Sequence, residues 1–218
     1  MSKDGSRCEV SEPARESSRG WDRACASAAL FLLLRTHQRF SLHASAAEWQ
    51  GTNVLCVGPS GVGKTTLAVL MGLNGGVLRS DDTTLLELEA EWPLAQTVRI
   101  DRRSLQSRPE LAAQAGKTAN KSEFDLLRPE GGRFRADVLF FPERASHGGL
   151  HCERLSPGEA LLRLTSASPF ATERELGDPN PHLLTLSSLA NRCEAYRVEA
   201  GPDLLANPKR LLKVLPRK

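Results

Sequence analysis

The stretch LCVGPSGVGKTTLAVLMGLNGGVLRSDD, Leu55 to Asp82, decides the fold. It opens apolar, crosses three glycines into a lysine and two threonines, and stops on paired aspartates. Gly58, Gly63, Lys64 and Thr65 satisfy G-x-x-x-x-G-K-[ST]. TNVLCVG reads as a strand before the loop and KTTLAVLMGL as a helix after it, which is the context this motif requires. Glycines let successive backbone N–H groups face one concavity, and the helix start adds the positive end of its dipole. The stretch is thus expected to be a phosphate-binding loop. Gly58, Pro59, Ser60, Gly61, Val62, Gly63, Lys64, Thr65 and Thr66 would line the nucleotide, Lys64 would reach the β and γ phosphates, and the Thr65 hydroxyl would face Mg²⁺.

The helix is expected to end at Asn74-Gly75-Gly76, where glycine accepts the positive φ that closes a helix. VLRSDD then reads as a strand that returns to the loop, giving the order strand, loop, helix, strand. Asp81 and Asp82 fall where phosphate-loop enzymes keep a metal-steering acid. Neighbours on an ending strand point apart, so one carboxylate can approach Mg²⁺ or its water while the other faces an acceptor. Two roles are open to them, metal binding and general base. The plainer alternative is a solvated Asp-Asp turn.

Outward from this core, residues 1 to 20 are polar and without hydrophobic period, and read as a disordered tail. The remainder, 21 to 218, reads as one domain, because no repeat or linker divides it. ACASAALFLLL, Ala24 to Leu34, is too short to span a bilayer and lacks a cleavage site, so a buried helix is expected. RFSLHASAA reads as a strand leading through the EWQG turn into the one before the loop.

Downstream, TTLLELEAEW and TVRID read as strands, and 102 to 133 as loops with a short helix, a segment expected to be mobile. RADVLFF is a further strand. SPGEALLRL carries Ser156 at the cap, Pro157 at the first helical position and Glu159 completing a capping box. A helix around Pro181 to Asn191, the strand EAYRVEA and a closing helix through LLANPKRLLKVL complete the chain.

With 218 residues, 40% hydrophobic and 25% charged, the chain is long enough for a substantial core. Its net charge of +3, with no block of basic residues, suits a phosphate-bearing ligand and does not argue for nucleic acid. Cys8, Cys25, Cys56, Cys152 and Cys193 are odd in number and form no C-x-x-C pair, as expected of reduced thiols in a cytoplasmic protein. His147, His151 and Cys152 in HGGLHC do not read as a zinc site, for want of a fourth ligand at suitable spacing.

SLHASAAEWQGTNVLCVGPSGVGKTTLAVLMGLNGGVLRSDD resembles the catalytic core of the HPr kinase/phosphorylase family and its shorter kinase-like relatives. The resemblance rests on His43, Gly58, Ser60, Gly61, Gly63, Lys64, Thr65, Gly76, Asp81 and Asp82 in the family's order, with its interval from lysine to second aspartate. It implies an α/β fold, a mixed sheet flanked by helices like the carboxy-terminal domain of that family. It further implies Mg-ATP as phosphate donor, a serine of a protein or peptide as acceptor, Asp82 as general base and Asp81 as its metal-side neighbour. A lone histidine on an apolar strand is ordinarily a core residue; the resemblance makes His43 a catalytic candidate, either orienting Asp82 or compensating charge on the phosphoryl group.

The sequence departs from the family's regulatory members. It shows no separate amino-terminal domain, no Glu–Arg–Gly-type signature and no segment tied to the reverse reaction. Glu110, Glu123 and Asp125 are the candidate downstream ligands, and Lys117, Lys121, Arg128, Arg133 and Arg135 a candidate phosphate-side clamp, against the plainer reading of solvated loops. Two rival functions stand beside the kinase: a nucleotide-binding regulatory module without transfer, and a phosphate-loop kinase of a small metabolite.

Overall fold

A computed structural model describes residues 19–93, 98–101, 115–117, 121–124, 132–145, 150–174 and 177–201. In chain order the elements are α1 (Arg19–Thr36), β1 (Phe40–Leu42), β2 (Ala44–Trp49), β3 (Thr52–Val57), α2 (Lys64–Leu73), β4 (Val77–Ser80), β5 (Thr84–Glu87), β6 (Ala90–Pro93) and β7 (Val98–Asp101). There follow β8 (Ala115–Lys117), β9 (Lys121–Phe124), β10 (Val138–Arg144), β11 (Leu150–Leu155), α3 (Pro157–Ala167), α4 (Asn180–Arg192) and β12 (Glu194–Ala200).

The centre is a six-stranded mixed sheet in the order β11-β12-β10-β3-β2-β4. β10 runs parallel to both β3 and β12, while β2 is antiparallel to β3 and to β4. β3 and β4 are therefore parallel to each other with β2 between them, and α2 crosses over from one to the other.

Side-chain alternation divides the core into two layers. Val54, Cys56, Val138, Phe140 and Trp49 face α2 and pack on Leu67, Leu70 and Met71. Leu55, Val57, Leu139, Phe141, Ala44 and Ala46 face the other way, onto Leu164 of α3 and Leu186 and Leu189 of α4. Covering both faces explains why the parallel strands read as unbroken apolar runs. The capping box of α3 forms as expected: Ser156 accepts from the Glu159 N–H, and the Glu159 carboxylate accepts from the Ser156 N–H at 2.8 Å.

Several expectations are corrected. RFSLHASAA is two strands, broken at His43: β1 pairs with β5 in a separate β1-β5-β6 sheet, and β2 enters the central one. TTLLELEAEW folds as the hairpin β5–β6, turning at Leu88 and Glu89 so that Glu87 pairs with Ala90. VLRSDD is a strand only to Ser80, and the strand in RADVLFF begins at Val138 and continues to Arg144. Within 102 to 133, expected as loops with a short helix, 115–117 and 121–124 form β8 and β9, and β9 pairs antiparallel with both β7 and β8; the short helix falls outside the described residues. α1 forms, but none of its described side chains is buried, and Leu30 is 49% exposed. The tail up to residue 18 and the closing helix lie outside the described residues. Among the described residues no helix is long and apolar enough to cross a membrane.

Behind the sheet, a polar knot fastens α1 to α4. Ser168 Oγ lies 2.6 Å from the Ser41 carbonyl, which can only accept, so the hydroxyl donates there. His182 Nε2 then donates to Ser168 Oγ at 2.7 Å, leaving Nδ1 as the acceptor that faces Arg35 Nη1 at 3.5 Å. The imidazole also stacks on Phe40, 4.3 Å between ring centres. Desolvation, aided by the Arg35 charge, pushes its pKa down to about 4.

Candidate active site

The sheet topology brings the candidate residues to one edge. β3 leaves the sheet at Val57 into the glycine loop, and β4 leaves at Ser80 into the aspartates. β10, parallel to β3, leaves the same edge at Arg144, and antiparallel β2 enters there just after His43.

In the loop, Gly61 and Gly63 hold φ of +83° and +111°, conformations that L side chains rarely adopt. Gly58 is buried, Pro59, Ser60 and Gly61 are exposed, and Val62, Gly63, Thr65 and Thr66 are half-buried. Gly63 caps α2 without a side-chain hydrogen bond, and the first turn holds no acidic residue. A helix start of this kind leaves its first amides for an anion. Lys64 is buried at 4% exposure, and its Nζ donates to the Pro59 carbonyl at 2.9 Å. Beneath it Cys56 is buried, and desolvation pushes the thiol up to about 12, against the pull of Lys64. It is a packing residue, not a nucleophile. Gly76 keeps the return strand close: a Cβ there would lie 2.4 Å from the Glu48 carbonyl oxygen and 2.8 Å from that of Met71.

The two aspartates differ sharply. Asp81 is buried, and its Oδ1 accepts from Thr65 Oγ1 at 2.7 Å and from Ser45 Oγ at 2.8 Å. Asp82 is exposed and sits at φ +64°, in a tight turn closed by the Thr83 N–H on the Asp81 carbonyl at 2.8 Å. A non-glycine residue in the left-handed region carries strain of the kind that recurs at functional sites. The turn aims Asp82 away from Asp81, and its Oδ1 lies 3.4 Å from His43 Nε2, with the two side chains 55% and 33% exposed. His43 is itself fastened by its N–H to the Ala167 carbonyl at 2.9 Å.

His43, the glycine loop with Lys64, Thr65 and Thr66, and both aspartates thus come together. Two further residues join them that the sequence reading missed. Ser45, wholly buried, hides in ASAA, where a small residue reads as filler. Arg144 donates from Nε to the Gly61 carbonyl at 3.1 Å, and only the parallel pairing of β10 with β3 puts it there.

Glu110, Asp125 and Arg128 lie outside the described residues, as does His147. Glu123, Lys117 and Lys121 stand on β9 and β8, in the β7–β9–β8 sheet. Arg133 and Arg135 are exposed ahead of β10, at the opposite end from Arg144. His151 is exposed on β11 while Cys152, next to it on a strand, turns toward the core, so the two cannot share an ion. Among the described residues there is no cluster of three or more His, Cys, Asp or Glu that could hold a metal ion, and Cys56, Cys152 and Cys193 are free thiols. The Thr65 hydroxyl and the Asp81 carboxylate are nonetheless hard oxygens of the class Mg²⁺ takes. A site with one or two protein oxygens, the rest filled by phosphate and water, is usual for that ion.

No family model and no curated protein matches the sequence. Among solved structures the chain is similar to the Hpr(Ser) kinase/phosphatase from Coxiella burnetii, at 11% identity and a TM-score of 0.40, over 80% of this chain and 88% of that one. A likeness of that size assigns neither fold nor activity to this chain.

Proposed function

We propose that this chain is an ATP-dependent kinase that transfers the γ-phosphoryl group of Mg-ATP to a hydroxyl, serine in a protein or peptide. The observation that carries this reading is the division between adjacent aspartates, Asp81 buried against Thr65 and Asp82 exposed beside His43. A protein that only holds nucleotide has no need of the second carboxylate, set apart by a strained turn.

In this reading the loop amides and Lys64 hold the triphosphate. Thr65 and Asp81 hold Mg²⁺, whose charge offsets that of the phosphate oxygens. The acceptor hydroxyl approaches Asp82, which takes its proton as the new oxygen–phosphorus bond forms. The bond to the bridging oxygen of ADP breaks on the opposite side, and the electron pair leaves with ADP. His43, within reach of Asp82, keeps that carboxylate facing the acceptor.

Incubation with γ-labelled Mg-ATP and a mixture of serine-containing peptides is expected to yield labelled phosphoserine. Tight Mg-ATP binding with no labelled acceptor would show the nucleotide-binding module instead. Label on a free small alcohol, and not on peptide, would show the metabolite kinase.

A further inference from the structure

Ser45 is wholly buried one position inside the start of β2, and its hydroxyl donates to the Asp81 oxygen that also receives the Thr65 hydroxyl. Ala44 and Ala46 pack toward α3 and α4, so alternation turns Ser45 to the opposite face, the side of α2 and Thr65. The backbone ladder between β2 and β4 reaches Ala46 and Ser80 and includes neither Ser45 nor Asp81. Asp81 therefore stands one residue beyond the pairing that would otherwise fix it. The Ser45 hydroxyl takes over from the ladder at that point.

We propose that Ser45 is a positioning residue for the divalent-cation site, holding the Asp81 carboxylate where it takes the Thr65 proton and leaves the lone pairs of Thr65 Oγ1 for the cation. A threonine hydroxyl has one proton, and a hydroxyl that points it at a cation repels that cation. Asp81 removes the conflict by accepting the proton, but only while its carboxylate keeps this rotamer. Among the hydrogen bonds described, Ser45 is the Asp81 partner on the rigid central sheet, while Thr65 is the group to be oriented. This role rests on the kinase reading, since it presumes that a metal–nucleotide complex binds the loop.

The test is Mn²⁺ titration of the ADP complex by electron paramagnetic resonance, with ADP affinity in excess EDTA measured alongside. Ser45→Ala is expected to raise the Mn²⁺ concentration for half-occupancy about tenfold, the lower end of what loss of a group supporting a metal ligand costs. ADP affinity in EDTA should not change. In an Asp81→Asn background the same substitution should add nothing, because Ser45 acts through that carboxylate. Should Ser45→Ala fail to fold, Ser45→Cys, close in size and a weaker donor, is expected to show an intermediate shift.

Unchanged half-occupancy in the serine variants, or an equal loss with and without Asp81, overturns the role while leaving the kinase reading intact. A parent protein that binds ADP with no help from Mn²⁺ overturns both.

Discussion

At the sheet edge, Asp81 takes hydroxyl protons from Ser45 and Thr65, and beside it Asp82 and His43 are exposed to solvent. Behind the sheet, His182 meets a hydroxyl on one nitrogen, a guanidinium on the other and an aromatic face along its ring. Both clusters bury an ionisable group against a hydroxyl, yet only the edge also presents titratable neighbours to solvent. The knot spends its polar groups on one another and is structure. The edge supports one carboxylate from within and presents the next outward, which is what a site needs. Substitutions at the edge should therefore change chemistry and binding, and substitutions in the knot should change stability.

The largest effect expected is at Asp82. Asp82→Asn keeps the shape and removes the base, so phosphate transfer should fall by roughly 10²–10⁴-fold with Mg-ATP affinity nearly intact. Transfer at the parent rate would remove Asp82 from the mechanism and the main contrast with it.

The knot responds to pH instead. The pKa of His182 in the folded chain, about 4, lies below the ordinary value of 6.5, so the unfolded state binds a proton that the folded state refuses. The stability contributed is fully present above pH 6.5 and is lost as pH falls toward 4, by at most about 3 kcal/mol. Denaturant unfolding of the parent and of His182→Phe across that window checks it, the variant losing this component of the slope. Equal slopes would show that His182 titrates normally.

Lys64→Ala should weaken Mg-ATP binding by roughly 1.5–3 kcal/mol, the scale of one charge-assisted contact, as read by calorimetry. Unchanged affinity would sink the phosphate-loop assignment. Ser168→Ala should do the converse. It leaves the buried His182 N–H without its acceptor, costing about 1–3 kcal/mol of stability, and should not alter Mg-ATP affinity. If Ser168→Ala weakened nucleotide binding as strongly as Lys64→Ala, the two clusters would be one coupled network.

Where the sequence reading worked, the signal was local. The spacing of Gly58, Gly63 and Lys64, the strand before them and the helix after them lie within a few turns of chain, and backbone sterics translate such a pattern almost directly into geometry. The cap at Ser156 and Glu159 is legible for the same reason. The break at His43 is not, because RFSLHASAA alternates well enough for one strand. Only competition between two sheets for its two halves parts it. The hairpin at Leu88 and Glu89 was missed likewise, for want of glycine or asparagine at the turn.

By itself the sequence determined the glycine loop, its helix, the returning aspartates and their order. These are set by residues close in the chain, where propensity and φ preferences act. Tertiary structure alone decided which aspartate is buried and which faces outward, since that depends on a turn at Asp82 and on a serine from another strand. It alone brought Arg144 to the loop, across a parallel pairing between β3 and β10 that no local pattern encodes. Pairing of this kind is selected by burial over the whole sheet, and a residue's neighbours across it carry no mark in the sequence around it.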